Sequence, residues 1–406
     1  MRLSGLSSGS MVPLLSVGSV WECFNHTSPS PNPCPRSRLT EAADYAMIRT
    51  ADYLLVSVSR GVRSTGELAK IRFANRSAIS GSFQLPHIGV SIAREVTHMR
   101  IEDLRFDPQQ GRTIVSPIGH GYGYWAGGCK AAYDPEEGRF YLFYRQRVPL
   151  ERGRGGRCVV AESDDGIHFH QIWSATKEDF CANSIEVGCP VKDPRGEWRL
   201  YVSYEYAPGN YWRVDVLRGE SLADLDVQGR RTVLLPFDYG LSFIKDPVVY
   251  LREGAYWVYA AVSPRERYRP QEDGTRVLVG HDATMLLISG DGLRFPRGRY
   301  VFEPDGQGWD GARARINAIV PLEGGFAAFY DGGAGPYDNY EEMCGLAFSP
   351  DMIHFERLTR DEAWVSSPYG CIRYVYALPV NDRLYIYYEY TRPDLAHALR
   401  LNIVEG

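Results

Sequence analysis

The sequence predicts an all-β fold: a five-bladed β-propeller of four-stranded antiparallel blades, closed by an N-terminal strand. Three observations carry this. An apolar strand, a tight turn and an aromatic-rich strand recur in that order five times between residues 127 and 390. A second turn pattern follows three of those copies. The composition, with 27 Tyr, 16 Phe, 41 Gly and 25 Pro in 406 residues, suits short strands and tight turns rather than long helices.

The copies are GGCKAAYDPEEGRFYLFYRQR from Gly127, EVGCPVKDPRGEWRLYVSYEY from Glu186, FIKDPVVYLREGAYWVYAAV from Phe243, RINAIVPLEGGFAAFYDGG from Arg315 and CIRYVYALPVNDRLYIYYEY from Cys371. Their turns (EEG, PRG, REG, EGG, NDR) place Gly, Asn or Asp where a hairpin needs positive φ, so each copy is a β-hairpin. A third strand then leads into SDDGIHF, SGDGLRF or SPDMIHF, ending at Phe169, Phe295 and Phe355. Two hairpins per unit make a four-stranded blade. Such a blade buries both faces only against its neighbours, and radial repetition also protects the strand edges. The chain ends in HALRLNIVEG, one strand short of a fifth blade. The segment MRIEDLRFDP from Met99 is therefore expected to close the ring as that blade's outer strand.

The remaining sequence divides simply. Residues 1–40 are rich in Ser, Pro and Asn and are read as disordered or as an overextended start. Residues 41–97 form an N-terminal extension to which the sequence assigns no role, and residues 98–406 are the propeller. The formal charge is −5, from 45 Lys plus Arg against 50 Asp plus Glu, without a polybasic run, so no nucleic acid partner is expected. No apolar run reaches the length of a membrane span, and the N-terminus makes a poor secretory signal, so a cytoplasmic protein with no membrane partner is expected. The eight scattered cysteines lack CxxC or zinc spacing and are read as reduced and mostly buried.

The S-x-D-G-x-x-F turns SDDGIHF and SGDGLRF, the KDPVV segment at Lys245 and the aromatic strands YWVY and YLFY resemble the five-bladed propeller glycosidases. That superfamily holds glycoside hydrolase families 43, 32, 68 and 117 and the family 130 phosphorylases. The resemblance covers residues 99–406 and implies a glycosidase-like enzyme acting on a small glycan or glycoside. It also implies an Asp at the head of the first inner strand, with further acids from the second and third blades. Here the chain departs: YWAGGCKAAYD has Gly, Cys and Lys at that place, and Asp134 stands at the far end of the strand.

In a propeller the first strand of each blade lines the axis and the second returns to the same rim. Aligning the hairpins brings Lys130, Gly188, Asp246, Arg315 and Tyr374 into near register, with Glu186, Lys245, Arg313 and Arg373 beside them. The returning strands contribute Arg145, Glu205, Asp331 and Glu389. Glu186 and Asp246 are the expected acid/base pair, since glycosyl transfer needs one protonated carboxyl and one carboxylate on opposite sides of the scissile bond. Lys130, Glu205, Lys245, Arg313, Arg315, Asp331, Arg373, Tyr374 and Glu389 are expected to bind substrate, with Trp125 as a stacking surface. The three arginines suit an anionic sugar or phosphate, or else they neutralise neighbouring acids and need no ligand. No metal ligand set is read and no cofactor is expected, a structural Ca²⁺ in the axial channel apart. No GxSxG, Walker, HExxH or GxGxxG motif suggests other chemistry. Alternatives to hydrolysis are phosphorolysis, a lyase- or cyclase-type reaction on the same scaffold, and a catalytically silent carbohydrate-binding propeller.

Overall fold

The computed structural model describes residues 99–405 apart from 266–267, 271, 273–275, 279–280 and 336–341. The chain divides into two compact units, residues 1–81 and 82–406. All described residues belong to the second, so the readings for residues 1–40 and 41–97 lie outside them. The five sequence copies are five hairpins. Their first strands are Trp125–Asp134, Ala182–Lys192, Leu241–Arg252, Arg313–Leu322 and Ile372–Val380, and their second strands are Arg139–Arg147, Trp198–Tyr206, Ala255–Pro264, Gly325–Gly333 and Arg383–Thr391. Third strands (Gly155–Ser163, Tyr211–Gly219, Ala283–Ser289, Met343–Ser349, His397–Glu405) and fourth strands extend each into a four-stranded antiparallel sheet. The first strands touch one another in cyclic order, blade five returning to blade one.

The strand that completes blade five is Arg112–Val115, paired antiparallel with His397–Glu405. The expected closing segment from Met99 instead forms a single 3₁₀ turn, Ile101–Leu104. Asp103 accounts for this, because its carboxylate accepts the Arg100 backbone N–H at 2.8 Å and curls the chain before a strand can start. Closure by N-terminal sequence therefore holds, with the strand beginning at Arg112, twelve residues beyond the Arg of MRIEDL.

The S-x-D-G turns follow from one hydrogen-bond pattern, used to reverse the chain after the third strand. Ser163 Oγ accepts the N–H groups of Asp165 and Gly166, and Asp165 Oδ1 accepts those of Ile167 and His168. Ser289 with Asp291 and Ser349 with Asp351 repeat it. The core lies between facing blades. Phe143, Cys158, Leu200 and Val202 fill the space between blades one and two, and Cys189, Tyr201, Val249 and Val258 that between blades two and three. Cys129, Cys158, Cys189, Cys344 and Cys371 are free and buried, as the sequence suggests. Cys181 departs from that reading and is disulfide-bonded.

Each first strand breaks its pairing near its start with one inserted residue, at Gly127/Lys130, Ile185/Gly188, Lys245/Val248, Ile316/Ala318 and Arg373/Tyr376. These β-bulges bend the strand and re-aim a side chain. They also correct the register expected from sequence. Gly128, Glu186, Asp246, Ile316 and Tyr374 are the equivalent positions, while Lys130 and Gly188 sit two residues further along and Arg315 one residue before. Four of the bulge N–H groups are received by the preceding blade: Gly128 by Glu389 Oε2, Asp246 by Ser203 Oγ, Ile316 by Thr284 Oγ1 and Tyr374 by Asp331 Oδ1. The bulge ring therefore stitches blade to blade and fixes the side chains that converge on the axis.

Candidate functional site

Asp246 stands on the bulge of blade three with φ 53, in the left-handed region that Asp tolerates better than most residues. Ser203 holds its backbone, and the following Pro247 stiffens the strand. The residue is 4% exposed, and neither carboxylate oxygen has a hydrogen-bond partner. Its nearest cation is Lys245 Nζ at 3.7 Å. A buried carboxylate left in this state is costly unless a ligand or a reaction uses it.

Glu186, at the equivalent bulge of blade two, is in the opposite condition. Arg145 Nε donates to its Oε2 at 3.0 Å and Arg147 Nη1 lies 3.7 Å from its Oε1. Burial opposes ionisation, but Arg145, Arg147, Lys245 and Arg154 outweigh it and hold this carboxyl well below the usual carboxylate range. The surrounding cations favour the ionised form of Glu186.

The missing first-blade Asp has a structural reason. At Gly127 a Cβ would overlap the Glu389 carboxylate, and Gly128 adopts φ 63 with its N–H on Glu389 Oε2. The space an acid of blade one would take is filled from blade five. Glu389 is itself fully engaged: Arg373 Nε and Nη2 donate to Oε1 at 3.0 and 2.8 Å, His397 Nδ1 lies 2.7 Å away, and Arg145 Nη2 is 3.3 Å from Oε2. Buried and stacked 4.5 Å from Trp125, His397 has its pKa pushed down to about 4, chiefly by desolvation.

Arg313, Arg315 and Arg373 do come together, around a carboxylate that sequence reasoning missed. Glu342 accepts Arg315 Nη2 at 2.7 Å and Arg373 Nη1 at 3.0 Å, and Arg313 Nη1 lies 3.7 Å from it. Arg313 Nε also donates to Asp282 at 3.1 Å. No motif marks Glu342, which precedes a third strand. On this side of the funnel the arginines neutralise acids, as the ligand-free alternative requires.

Asp331 is the second carboxylate with spare capacity. Its Oδ1 accepts the Tyr374 N–H at 2.9 Å, its Oδ2 has no hydrogen-bond partner, and Arg315 Nη2 is 3.6 Å away. Burial, with Glu342 adding to it, outweighs Arg315 and pushes its pKa up to about 6. Lys130 is wholly buried on the axis, donating to Asn317 Oδ1 at 3.2 Å with its ammonium 5.2 Å from the Tyr376 ring. Desolvation lowers its pKa against the pull of Asp331 and Asp246.

The other expected binding residues are dispersed. Trp125 is 2% exposed, sandwiched by His397, Arg147 and Arg373, so it supports guanidinium groups rather than offering a sugar-stacking face. Tyr374 is buried with the Arg145 and Arg373 guanidinium groups near its ring. Glu205 pairs at the rim with Arg154 at 3.3 Å, beside Trp212, whose half-buried ring lies 4.9 Å from Lys245 Nζ. Among the described residues one group, Cys371, Glu389 and His397, brings metal-type ligand atoms within 4.8 Å of one another. A thiol, an imidazole and a carboxylate already bound to two guanidinium groups are not the oxygen-rich donor set that Ca²⁺ takes.

No family model matches the chain, and no curated sequence does. Solved structures do match it over most of its length. A β-1,2-mannobiose phosphorylase from Listeria innocua, in complex with β-1,2-mannobiose, is 15% identical, with 72% of this chain and 94% of that one covered at a TM-score of 0.50. A glycosyl hydrolase from Bacteroides ovatus is 14% identical over 76% and 96% of the two chains, with a TM-score of 0.51. The GH43_1 enzyme from Xanthomonas citri complexed with xylotriose is 11% identical over 72% and 90%, with a TM-score of 0.50. What is shared at such identities is the fold, the propeller that the hairpin copies predict.

Proposed function

We propose that this protein is a glycoside-active enzyme that receives a small carbohydrate or glycoside in the propeller funnel and acts by carboxylate acid/base chemistry centred on Asp246. The observation that carries the reading is the Asp246 carboxylate: buried, fixed on a positive-φ bulge, and without a hydrogen bond to either oxygen. The fold it shares with proteins named as glycoside hydrolases and a mannobiose phosphorylase supports a sugar as its ligand.

The partner role falls to Asp331 rather than to Glu186. Asp331 retains a proton up to about pH 6 and keeps one oxygen without a hydrogen bond, whereas Glu186 accepts a hydrogen bond from Arg145 and lies close to Arg147. In this scheme Asp331 gives its proton to the leaving glycosidic oxygen, and Asp246 takes a proton from the water that attacks the anomeric carbon. Glu186 orients the arginines. No cofactor is needed for these steps.

The test is turnover across a panel of aryl glycosides and oligosaccharides. Asp246→Asn should lower kcat/KM by about 10²–10⁴-fold, the range for loss of a positioned acid or base, with an unchanged melting profile. Native activity should decline above about pH 6 as Asp331 loses its proton, and Asp331→Asn should abolish that limb along with most of the rate. Full activity in Asp246→Asn would sink the proposal.

A further inference from the structure

Arg147 closes the second strand of blade one and is 5% exposed, with its guanidinium 4.4 Å from the Trp125 ring. Its one carboxylate contact is Glu186 Oε1 at 3.7 Å, beyond hydrogen-bond distance, and Arg145 already holds the other oxygen of Glu186 at 3.0 Å. Around it stand more cations: Arg145, Arg154 and Arg373 each oppose its charge, and with the larger effect of burial they bring its pKa down to about 10. Lys245 and Arg154 also face Glu186. Glu186 is the carboxylate these four cations share; Arg145 also reaches Glu389 at 3.3 Å, Lys245 reaches Asp246 at 3.7 Å and Arg154 reaches Glu205 at 3.3 Å, so Arg147 alone of the four depends on Glu186.

The donors confirm the shortfall of acceptors. Arg147 Nε, Arg145 Nη1 and Arg154 Nε are all buried atoms without a hydrogen-bond partner. Guanidinium N–H groups removed from water and left unpaired are expensive, and an oxyanion that pairs bidentately satisfies two of them at once. The arginines of blades four and five are better supplied with carboxylates, Glu342 accepting from two guanidinium groups at 3.0 Å or less, although Arg315 Nε also has no hydrogen-bond partner.

We propose that Arg145, Arg147 and Arg154 form an oxyanion subsite at the funnel mouth between blades one and two, built for a carboxylate or sulfate borne by the glycan or for free phosphate. The glycan-borne source rests on the glycoside-active reading above; the subsite itself rests on the arginines. It differs in place from the arginine cluster that the sequence singles out, because Arg313, Arg315 and Arg373 are already neutralised.

The experiment is calorimetric titration of the full-length chain at constant ionic strength with sodium phosphate, sodium sulfate and sodium glucuronate, using glucose as the neutral control. Saturable binding of at least one oxyanion is expected, weakened about tenfold or more in Arg147→Gln, which removes a charge-assisted pair. Arg147→Lys, which keeps the charge and loses the fork, should fall between and guards against a folding defect in the first variant. Binding of phosphate alone assigns the site to the free ion, binding of glucuronate or sulfate alone assigns it to a substituent of the glycan, and both assign it to the shared chemistry. If no oxyanion binds, if glucose binds as well as they do, or if both Arg147 variants bind like the native protein, the subsite is refuted. Asp246→Asn separates the two proposals, since it should lose turnover and keep oxyanion binding.

Discussion

Two sides of one funnel use the same residue types to opposite ends. On blades four and five, Arg313, Arg315 and Arg373 interlock with Asp282, Glu342, Asp331 and Glu389 at distances of 2.7 to 3.7 Å. On blades one to three, Arg147 has only a shared carboxylate at 3.7 Å, and the Asp246 carboxylate has no hydrogen bond to either oxygen. The first side is an ion lattice that closes the ring, in which Asp331 Oδ2 and Arg315 Nε have no hydrogen-bond partner. The second holds polar atoms in reserve, as a site requires when its ligand supplies the missing partners. Charge in a propeller axis is therefore no guide to function by itself; unsatisfied charge is.

Substitutions that break this contrast should differ in size. Glu342→Gln removes the negative charge that three buried guanidinium groups share, and removing one partner of a buried ion pair costs about 3–5 kcal/mol. Urea unfolding should show that loss, and a change below about 1 kcal/mol would show that the lattice contributes little. Asp331→Asn should act in the other direction. The native carboxyl keeps its proton to about pH 6, while an unfolded Asp releases it near 3.9. Between these values the native state binds more protons than the unfolded state, so stability falls as pH rises and stays reduced above pH 6. The neutral amide should restore up to about 3 kcal/mol at pH 7, at 1.36 kcal/mol per unit, and flatten the profile of melting temperature between pH 4 and 6.

Gly127→Ala tests the substitution of one blade's acid by another's. A methyl group there meets the Glu389 carboxylate, and overpacking of this kind costs about 1–3 kcal/mol. Its thermal shift should be smaller than that of Glu342→Gln and should come with disturbance of the Arg145 and Arg373 pairs. Arg147→Gln should have the least effect on stability, less than about 1 kcal/mol, because the lost 3.7 Å contact is offset by relief of a buried cation. A destabilisation as large as that of Glu342→Gln would erase the distinction between the two sides.

The architecture was legible because each blade is local. Strand, turn and aromatic strand lie within about twenty residues, and turn residues such as those of EEG, PRG and NDR report their geometry directly. The S-x-D-G pattern likewise encodes its own hydrogen bonds, so it marked the third-to-fourth-strand turn without tertiary information. Asp246 was also visible, since an Asp-Pro pair at the head of an aromatic hairpin stands out from the apolar strand around it. The closing strand was harder. The sequence shows that an outer strand is missing from blade five, but both MRIEDL and RTIV are short and apolar enough to supply it. A side-chain bond to the backbone at Arg100 decides between them.

The sequence by itself determined the number of blades, their hairpins and the concentration of charge at the strand heads, because these depend on contacts between residues close in the chain. Only the tertiary structure decided which charges are spent. Glu389 fills the place of a blade-one acid from 261 positions away, Arg145 reaches Glu186 across 41, and Glu342 meets Arg373 across 31. Whether a carboxylate is pinned like Glu186 or unpartnered like Asp246 depends on the one-residue bulge that aims it and on the neighbouring blade that receives its backbone. Those contacts exist only once the ring has closed.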